Sequence, residues 1–96
     1  MGDSNEDEFD SLRDVTNYII DKIKSKFLYI KFSGPYPSKD EAGLINFVFN
    51  IEIDRQLWTI WIYEDYVRVQ NEWNIHRIDI NDSDSISQII RYNWDN

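Results

Sequence analysis

The side chains of this chain that could perform chemistry do not combine into a catalytic or metal site. His76 is the single histidine, and without Cys the sequence has no thiolate nucleophile and no Cys-ligated zinc. Residues 79–84 place oxygen-bearing side chains at alternate positions, as calcium loops do, but Asp84 stands where that loop needs Gly. Helix capping explains this segment better. We therefore expect no enzymatic activity, no metal and no cofactor.

Glycines and neighbouring acids are also spaced unlike those of a nucleotide-binding or hydrolytic site. The three glycines, Gly2, Gly34 and Gly43, are too far apart for a phosphate loop or a dinucleotide fingerprint. Adjacent carboxylates occur at 40–41 and 64–65, where turns are expected and where solvated charge is ordinary. Neither group of residues predicts chemistry.

Aromatic residues near the middle of the chain give the one positive signal, and it indicates binding. Residues 56–65 contain Trp58, Trp61 and Tyr63, and Tyr66 and Arg68 follow closely. Trp, Tyr and Arg are enriched at the hot spots of protein interfaces. Which of these side chains reach a partner depends on the strands that carry them.

The first of two hairpins joins a strand predicted over residues 44–53, where apolar side chains alternate, to the aromatic segment. A two-residue turn at Asp54 and Arg55 sets its register. On the core side this register pairs Ile51 with Trp58, Phe49 with Ile60, and Phe47 with Ile62. On the other side it pairs Asn50 with Thr59, Val48 with Trp61, and Asn46 with Tyr63.

The second hairpin turns at Glu64 and Asp65 and assigns the same faces independently. It pairs Ile62 with Val67 and Ile60 with Val69 inside, and Tyr63 with Tyr66 and Trp61 with Arg68 outside. A slip of one residue in either hairpin would exchange the two faces. The side away from the core, which we call the outer face, is expected to be bare and to carry Asn46, Val48, Asn50, Glu52, Thr59, Trp61, Tyr63, Tyr66, Arg68 and Gln70.

Six residues of the outer face are the candidate protein-binding residues: Trp61, Tyr63, Tyr66, Arg68, Asn50 and Glu52. Trp61 opposite Arg68 allows a cation–π contact. Cross-strand aromatic pairs also stabilise sheets by roughly 0.2 to 1 kcal/mol each, so a purely structural role is one alternative. Coverage of Trp61 and Tyr63 by a second copy or by part of segment 33–43 is another. Base stacking on single-stranded nucleic acid is disfavoured, because the face offers Arg68 as its only clear base.

Helical periodicity lies on both sides of the strands. Apolar residues recur every three or four positions from Phe9 to Phe27, which predicts an amphipathic helix after a flexible acidic terminus of residues 1–7. A second helix, capped by Asp82 or Ser83, is expected near the C-terminus. Its single apolar stripe comprises Ile86, Ile89, Ile90 and Trp94.

The first and last strands are less regular than the middle three. Strand one is predicted over residues 28–32, because the Gly-Pro-Tyr-Pro stretch that follows should end its ladder and open a loop to Gly43. Strand five has four apolar residues in two different phases: Trp73, Ile75, Ile78 and Ile80. A bulge near His76 and Arg77 is expected to turn all four toward the core.

These elements predict one α+β domain over residues 8–96, in the order α-β-β-β-β-β-α. Tight hairpins produce an antiparallel five-stranded meander, and the single apolar stripe of each helix packs on one face of it. At 96 residues the chain is large enough for one core and too short for two domains.

The formal net charge of −8 at pH 7 lies at the two ends of the chain. Residues 1–14 contain six acids and one base, residues 15–78 contain eight of each, and residues 79–96 contain four acids and one base. This acidity disfavours direct contact with nucleic-acid phosphates and permits a basic protein partner. Fifteen Ile against one Ala indicate AT-rich coding, which is typical of phages, mobile elements and low-GC microbes.

In size, charge and composition the chain resembles, in type only, small acidic phage proteins of the anti-CRISPR and DNA-mimic kind. We therefore expect a phage- or mobile-element-encoded inhibitor that blocks a basic, nucleic-acid-binding protein. One alternative is an immunity protein or antitoxin that neutralises a toxin enzyme. Another is a non-catalytic accessory or oligomerisation subunit.

The expected partner is thus a protein, and neither direct nucleic-acid binding nor membrane binding is expected. Homo-oligomerisation through the outer face remains an alternative. The acidic first residues lack the basic stretch and apolar run of a signal peptide, and Cys is absent, so a cytoplasmic location is expected, the host cell of a virus included.

Overall fold

The computed structural model describes residues 4–53 and 55–94 and confirms the α+β fold. Its elements are α1 (Ser4–Lys26), β1 (Lys31–Lys39), β2 (Ile45–Ile53), β3 (Gln56–Ile62), β4 (Tyr66–Gln70), β5 (Ile75–Asp79), the short 3₁₀ helix η1 (Ile80–Asp82) and α2 (Ser85–Trp94). The five strands form one antiparallel sheet in chain order. No helix in the described ranges is long and apolar enough to cross a membrane.

The core lies between the two helices and one face of the sheet. Trp58 of β3 is fully buried, as are Phe49 and Ile60 beside it. The helices contribute their own buried apolar residues: Leu12, Ile19, Ile20, Ile23, Ile86 and Ile90. Each such side chain stabilises the fold by about 1.5–3 kcal/mol when it is removed from water, so burial of both stripes accounts for the position of both helices on this face.

Both predicted hairpin registers are confirmed. Ile51 lies opposite Trp58 and Val48 opposite Trp61 in the first hairpin, and the second places Trp61 opposite Arg68. Arg55 in the first turn has a φ of 70°, which is the left-handed backbone that tight two-residue hairpins use. The middle of the sheet therefore has the face assignment that the sequence predicts.

The predicted boundaries of strand one are wrong. β1 continues through the Gly-Pro-Tyr-Pro stretch, whereas Leu28 and Tyr29, expected at its start, lie outside it and are each 90% exposed. β1 is an edge strand, and its register shifts between Ser33 and Tyr36. Prolines are tolerated there because an edge strand needs N–H donors on one side only, and an irregular register removes some of those.

Gly34 lets β1 pass close to β2. Its φ is +109°, and a Cβ at this position would lie 3.0 Å from the Val48 carbonyl oxygen and 3.1 Å from the Phe49 Cα. L-amino acids rarely adopt such a φ, and the neighbouring backbone cannot move aside cheaply. The peptide bond from Gly34 to Pro35 is cis.

The bulge predicted in strand five is also wrong. β5 pairs with β4 in one continuous register, with His76 opposite Val69 and Ile75 opposite Gln70. His76 therefore faces the core side, where it is half-buried. Trp73 and Ile75, both expected in the core, are 81% and 61% exposed. The unbroken ladder preserves the backbone hydrogen bonds to β4 that a bulge would interrupt, and the cost is an exposed Ile75.

Helix α1 begins earlier than the sequence predicts. It starts at Ser4, so residues 4–7 of the acidic segment are helical, while residues 1–3 lie outside the described part of the chain. The buried hydroxyl of Thr16 donates to the Leu12 carbonyl at 2.7 Å, which satisfies a polar group inside the apolar stripe.

Helix α2 is preceded by η1 and not by a direct cap from Asp82, which lies within η1. The Asp79 carboxylate caps η1 by accepting the Asn81 N–H at 2.9 Å. Ile86 and Ile90 are buried and Ile89 is partly buried, as predicted for the α2 stripe. The Trp94 side chain, its fourth expected member, lies outside the described side chains.

Candidate protein-binding face

Strand pairing arranges the outer face in rows that cross the sheet. The central row comprises Tyr36, Val48, Trp61, Arg68 and Arg77. On one side of it lies a row of Ser33, Asn50, Thr59, Gln70 and Ile75. On the other side, Tyr66 pairs with Asp79, and the Tyr63 N–H donates to the Tyr66 carbonyl at 2.9 Å. The aromatic residues and both arginines are thus direct neighbours.

Ring and guanidinium contacts connect these rows. The Arg68 guanidinium carbon lies 4.8 Å from the centre of the Trp61 ring, which confirms the predicted cation–π pair. Arg77 makes the same contact with Tyr66 at 3.9 Å. Tyr63 and Tyr66 stack with ring centroids 4.5 Å apart and planes 10° apart. Each contact of this kind contributes about 0.5–1 kcal/mol where the groups are partly exposed, and together they fix the side-chain geometry.

Side-chain hydrogen bonds also connect polar residues of the face. Arg68 Nη2 donates to Gln70 Oε1 at 3.1 Å. Thr59 Oγ1 donates to Asn50 Oδ1 at 2.8 Å, across the β2–β3 pair. These bonds restrict the side-chain rotamers of Arg68, Gln70, Asn50 and Thr59.

Five of the six predicted binding residues are half-buried: Trp61, Tyr66, Arg68, Asn50 and Glu52. Tyr63 is the exception, because it is only 6% exposed, and Asn46 in the same region is 1% exposed. The expectation of a wholly bare face is thus wrong at this end. Tyr63 supports the surface by stacking under Tyr66 and presents little of its own area.

Burial also changes the acidity of Tyr63. Burial, with smaller contributions from the neighbouring Tyr66 and the Asp40 carboxylate, raises the pKa of the phenol to about 12. Asp40 itself organises the turn after β1, since its carboxylate accepts the N–H groups of Ala42 and Leu44, each at 2.9 Å. The Asp40 carboxylate, in segment 33–43, therefore acts on the Tyr63 phenol through its charge.

The structure adds outer-face residues that the sequence did not identify. Tyr36, Leu57 and Ile75 are 53%, 58% and 61% exposed, and Arg77 is exposed beside them. Leu57 lies opposite Glu52, so the first hairpin register already contained the signal for it. Tyr36, Ile75 and Arg77 could not be placed, because they depend on the true course of β1 and β5.

A depression lies at one end of the outer face, between the β2–β3 and β4–β5 turns. Its volume is about 380 Å³, and its lining includes Leu57, Thr59, Gln70 and Trp73. Trp73 is 81% exposed at its rim. The lining is mixed, because Leu57 and Trp73 are its apolar members and the other residues are polar or charged.

Charge separates the outer face from the opposite side of the molecule. Three bases and two acids lie on the described part of the face: Lys31, Arg68, Arg77, Glu52 and Asp79. Exposed acids lie instead along α1, where Asp10, Asp14 and Asp21 fall within about 40° of one another around the helix axis. The acidic stripe, as we call these three residues, faces away from the sheet.

Comparison with protein-family models, with curated proteins and with solved structures found no match for this chain. Within residues 4–53 and 55–94 no group of three or more His, Asp or Glu side chains is placed to hold a metal ion. The arrangement of the outer face is therefore the feature from which function is inferred.

Proposed function

We propose that this protein is a non-catalytic, protein-binding inhibitor that docks through the outer face of its sheet. The observation that carries this proposal is the combination of ordered and exposed residues on that face. Trp61, Arg68, Tyr66 and Arg77 are held in stacked pairs, and exposed apolar side chains surround them: Tyr36, Leu57, Trp73 and Ile75.

The stability of the fold does not explain why these apolar residues are exposed to solvent. Leu57 and Ile75 are more than half exposed although a polar residue at either position would keep the strand and avoid apolar exposure. Clusters of exposed apolar and aromatic residues on an ordered surface are characteristic of interaction sites. A partner that covered them would gain about 25 cal/mol for each Å² of apolar surface removed from water.

The acidity of the chain supports a basic partner. At a net charge of −8 the protein attracts cationic surfaces over a distance, and the acidic stripe of α1 presents part of that charge on a rigid helix. Such attraction increases association rates and selects partners, whereas the docked face determines how long a complex lasts.

The class of inhibitor that fits these properties is one that occupies a basic, nucleic-acid-binding protein, of the anti-CRISPR or DNA-mimic type encoded by phages and mobile elements. An immunity protein or antitoxin would use the same combination of acidic charge and aromatic contact against a toxin enzyme. The identity of the partner separates these two classes.

A pull-down from the native host with mass-spectrometric identification tests the proposal. The wild-type protein and the variants Leu57→Ser and Tyr18→Ala serve as parallel baits. Tyr18 is a matched control, because it is 55% exposed but lies on α1, on the other side of the molecule. We expect a basic protein on the wild-type and Tyr18→Ala baits and a strong reduction on the Leu57→Ser bait.

Salt provides the second part of this test. Capture should weaken steeply as ionic strength rises, since attraction between exposed charges is screened beyond about 10 Å at 0.1 M salt. Equal capture by all three baits would overturn the outer face as the docking surface. Capture that does not change with salt would overturn the basic character of the partner.

A further inference from the structure

We propose that a second copy of this chain pairs with the free edge of β5, so that two five-stranded sheets join into one. β5 is the last strand of the sheet, and no strand of the described residues pairs with its other side. Such an edge presents backbone N–H and C=O groups that another strand can bind. This inference concerns the edge of the sheet and does not require the proposed docking through its outer face.

Hydrogen bonds at the two ends of the β4–β5 ladder show its phase. The Ile80 N–H donates to the Asp65 carbonyl at 3.0 Å, and the Asn71 N–H donates to the Asn74 carbonyl at 2.9 Å. In an antiparallel pair, alternate residues bond to the neighbouring strand and the residues between them point away. The even-numbered residues of β5 therefore bond to β4.

The odd-numbered residues of β5 consequently present their backbone groups to solvent. These are Ile75, Arg77 and Asp79, whose side chains are all exposed on the outer face. The strand contains no proline, and its register with β4 has no shift. Its free edge thus has the regular spacing that strand pairing needs.

Charge selects the register of such a pair. When two antiparallel β5 strands are centred on Ile78, they overlap over residues 77–79, because β5 ends at Asp79 and η1 follows. Arg77 of each copy then lies opposite Asp79 of the other, and both residues are in hydrogen-bonding positions. Opposite charges directly across a ladder are favourable. Centring the pair on Arg77 would instead place two guanidinium groups face to face, which is unfavourable.

The two charged side chains differ in how they meet a second copy. Asp79 uses Oδ1 to accept the Asn81 N–H at 2.9 Å. A carboxylate accepts through both of its oxygens, so Oδ2 can receive the guanidinium of the second copy. Arg77 lies over the Tyr66 ring of β4 at 3.9 Å, and to reach the second copy its guanidinium turns from this ring toward the free edge.

The opposite edge of the sheet is unlike this one. β1 contains Gly34, Pro35 and Pro37, and its register shifts between Ser33 and Tyr36. Prolines and irregular register are devices that prevent an edge from pairing. Pairing at one edge only, about a two-fold axis, closes as a dimer and does not continue into a fibre.

Sedimentation velocity over a range of concentrations tests this proposal with two charge-reversal variants, Arg77→Asp and Asp79→Arg. Each variant alone places like charges opposite each other in the homodimer, so we expect its dimer dissociation constant to rise at least ~10-fold. An equimolar mixture of the two restores both attractive pairs and should dimerise like the wild type. Each chain carries the same substitution in the mixture as it does alone. Recovery of dimerisation on mixing therefore cannot be caused by a change in folding.

Far-UV circular dichroism and thermal unfolding show whether each variant keeps its fold. Amide hydrogen exchange on the wild type gives a second readout that requires no substitution. Dimerisation should slow exchange at Arg77 and Asp79, whose N–H groups face the free edge, with less change at Ile78, whose N–H already bonds to β4.

A wild-type chain that stays monomeric at every concentration would overturn the proposal. So would a dimer that both single variants retain, or a mixture of the variants that does not associate. A dimer that Leu57→Ser disrupts while exchange at Arg77 and Asp79 is unchanged would place the contact on the outer face and also overturn it.

Discussion

At the residue scale, stacking determines what the outer face offers to a partner. Arg68 and Arg77 each lie over an aromatic ring, and Tyr63 supports Tyr66 from below. The Nε of Arg68 is buried and its Nη2 donates to Gln70, whereas Arg77 is exposed, so its in-plane N–H groups can donate hydrogen bonds while one face of the guanidinium stays on the ring. The face therefore presents aromatic area and oriented donors together.

Titration of Tyr63 tests its supporting role. Because burial raises the pKa of its phenol from 10.0 to about 12, Tyr63 should ionise late in an ultraviolet pH titration of the folded protein. Tyr63→Phe should remove this late step. If Tyr63→Phe left the titration curve near pH 12 unchanged, the packing described for Tyr63 would be incorrect.

The same shift has a consequence for stability. A raised pKa in the folded state means that the neutral phenol stabilises the fold fully below pH 10 and that this contribution is lost as the pH rises toward 12. The free energy of unfolding should accordingly fall more steeply for the wild type than for Tyr63→Phe across this interval. Chemical denaturation at a series of pH values measures the difference.

Gly34→Ala tests the close approach of β1 to β2. A Cβ there would meet the β2 backbone at 3.0 Å and would require an unfavourable φ of +109°, so we expect a loss of about 1–3 kcal/mol in the free energy of unfolding. Gly43→Ala is the matched control, because Gly43 also has a positive φ, +83°, but open space around it. Equal losses in urea denaturation of both variants would show that the approach does not matter.

At the element scale, local turn chemistry made the middle strands predictable and tertiary context made the outer ones unpredictable. Two-residue turns set the registers of β2, β3 and β4. A slip of one residue in either register would move the apolar side chains from the core side to the outer face. The predicted meander already places β1 at an edge, but the register shift between Ser33 and Tyr36 that lets the ladder continue past the prolines has no signal in the sequence pattern. The prediction therefore ended β1 too early.

The error in β5 has a different cause. The apolar pattern predicts a bulge only if Trp73 and Ile75 belong in the core. That assumption is wrong here, because apolar residues also lie on protein surfaces and Ile75 is 61% exposed. Its consequence was that Arg77, opposite Arg68, was not recognised as part of the outer face.

The ion pair between α1 and the turn before α2 gives a prediction for acid stability. Lys22 Nζ lies 2.8 Å from Asp84 Oδ1, and this ammonium holds the pKa of the carboxyl below its ordinary value of 3.8. A depressed pKa stabilises the fold above that ordinary value, and the contribution is lost as the pH falls through the folded-state pKa.

Thermal unfolding across the acid range measures this contribution. The advantage of the wild type over Asp84→Asn should be present near neutral pH and should disappear as the solution becomes strongly acidic. Asp82→Asn is the control, because Asp82 is an exposed neighbour in η1. A stability difference between wild type and Asp84→Asn that did not change with pH would contradict the role of this pair.

At the scale of the whole molecule, the protein has two sides with different properties. The outer face is nearly neutral and rich in aromatic and apolar side chains, whereas the acidic stripe lies on α1, on the far side of the core. A flat partner surface cannot touch both. The outer face is therefore suited to lasting contact and the acidic side to attraction from a distance.

The sequence revealed part of the outer face and could not reveal its extent. Trp61, Tyr66 and Arg68 follow from hairpin registers that need only local information. The burial of Tyr63 does not follow from the hairpin registers, and the exposure of Ile75 depends on the pairing of β5. Features that depend on contacts between segments distant in sequence could not be predicted from composition and spacing.

The most direct measurement is the affinity of the partner protein, once captured, for the wild type, Trp61→Ala and Tyr18→Ala. Loss of the Trp61 ring should raise the Kd ~5- to 30-fold, equivalent to ~1–2 kcal/mol, with circular dichroism confirming the fold. Tyr18 lies on the opposite side of the molecule, and substitutions distant from a site have nearly independent effects. Tyr18→Ala should therefore leave the Kd within about twofold of the wild-type value. An unchanged Kd for a folded Trp61→Ala protein would show that the outer face is not the docking surface.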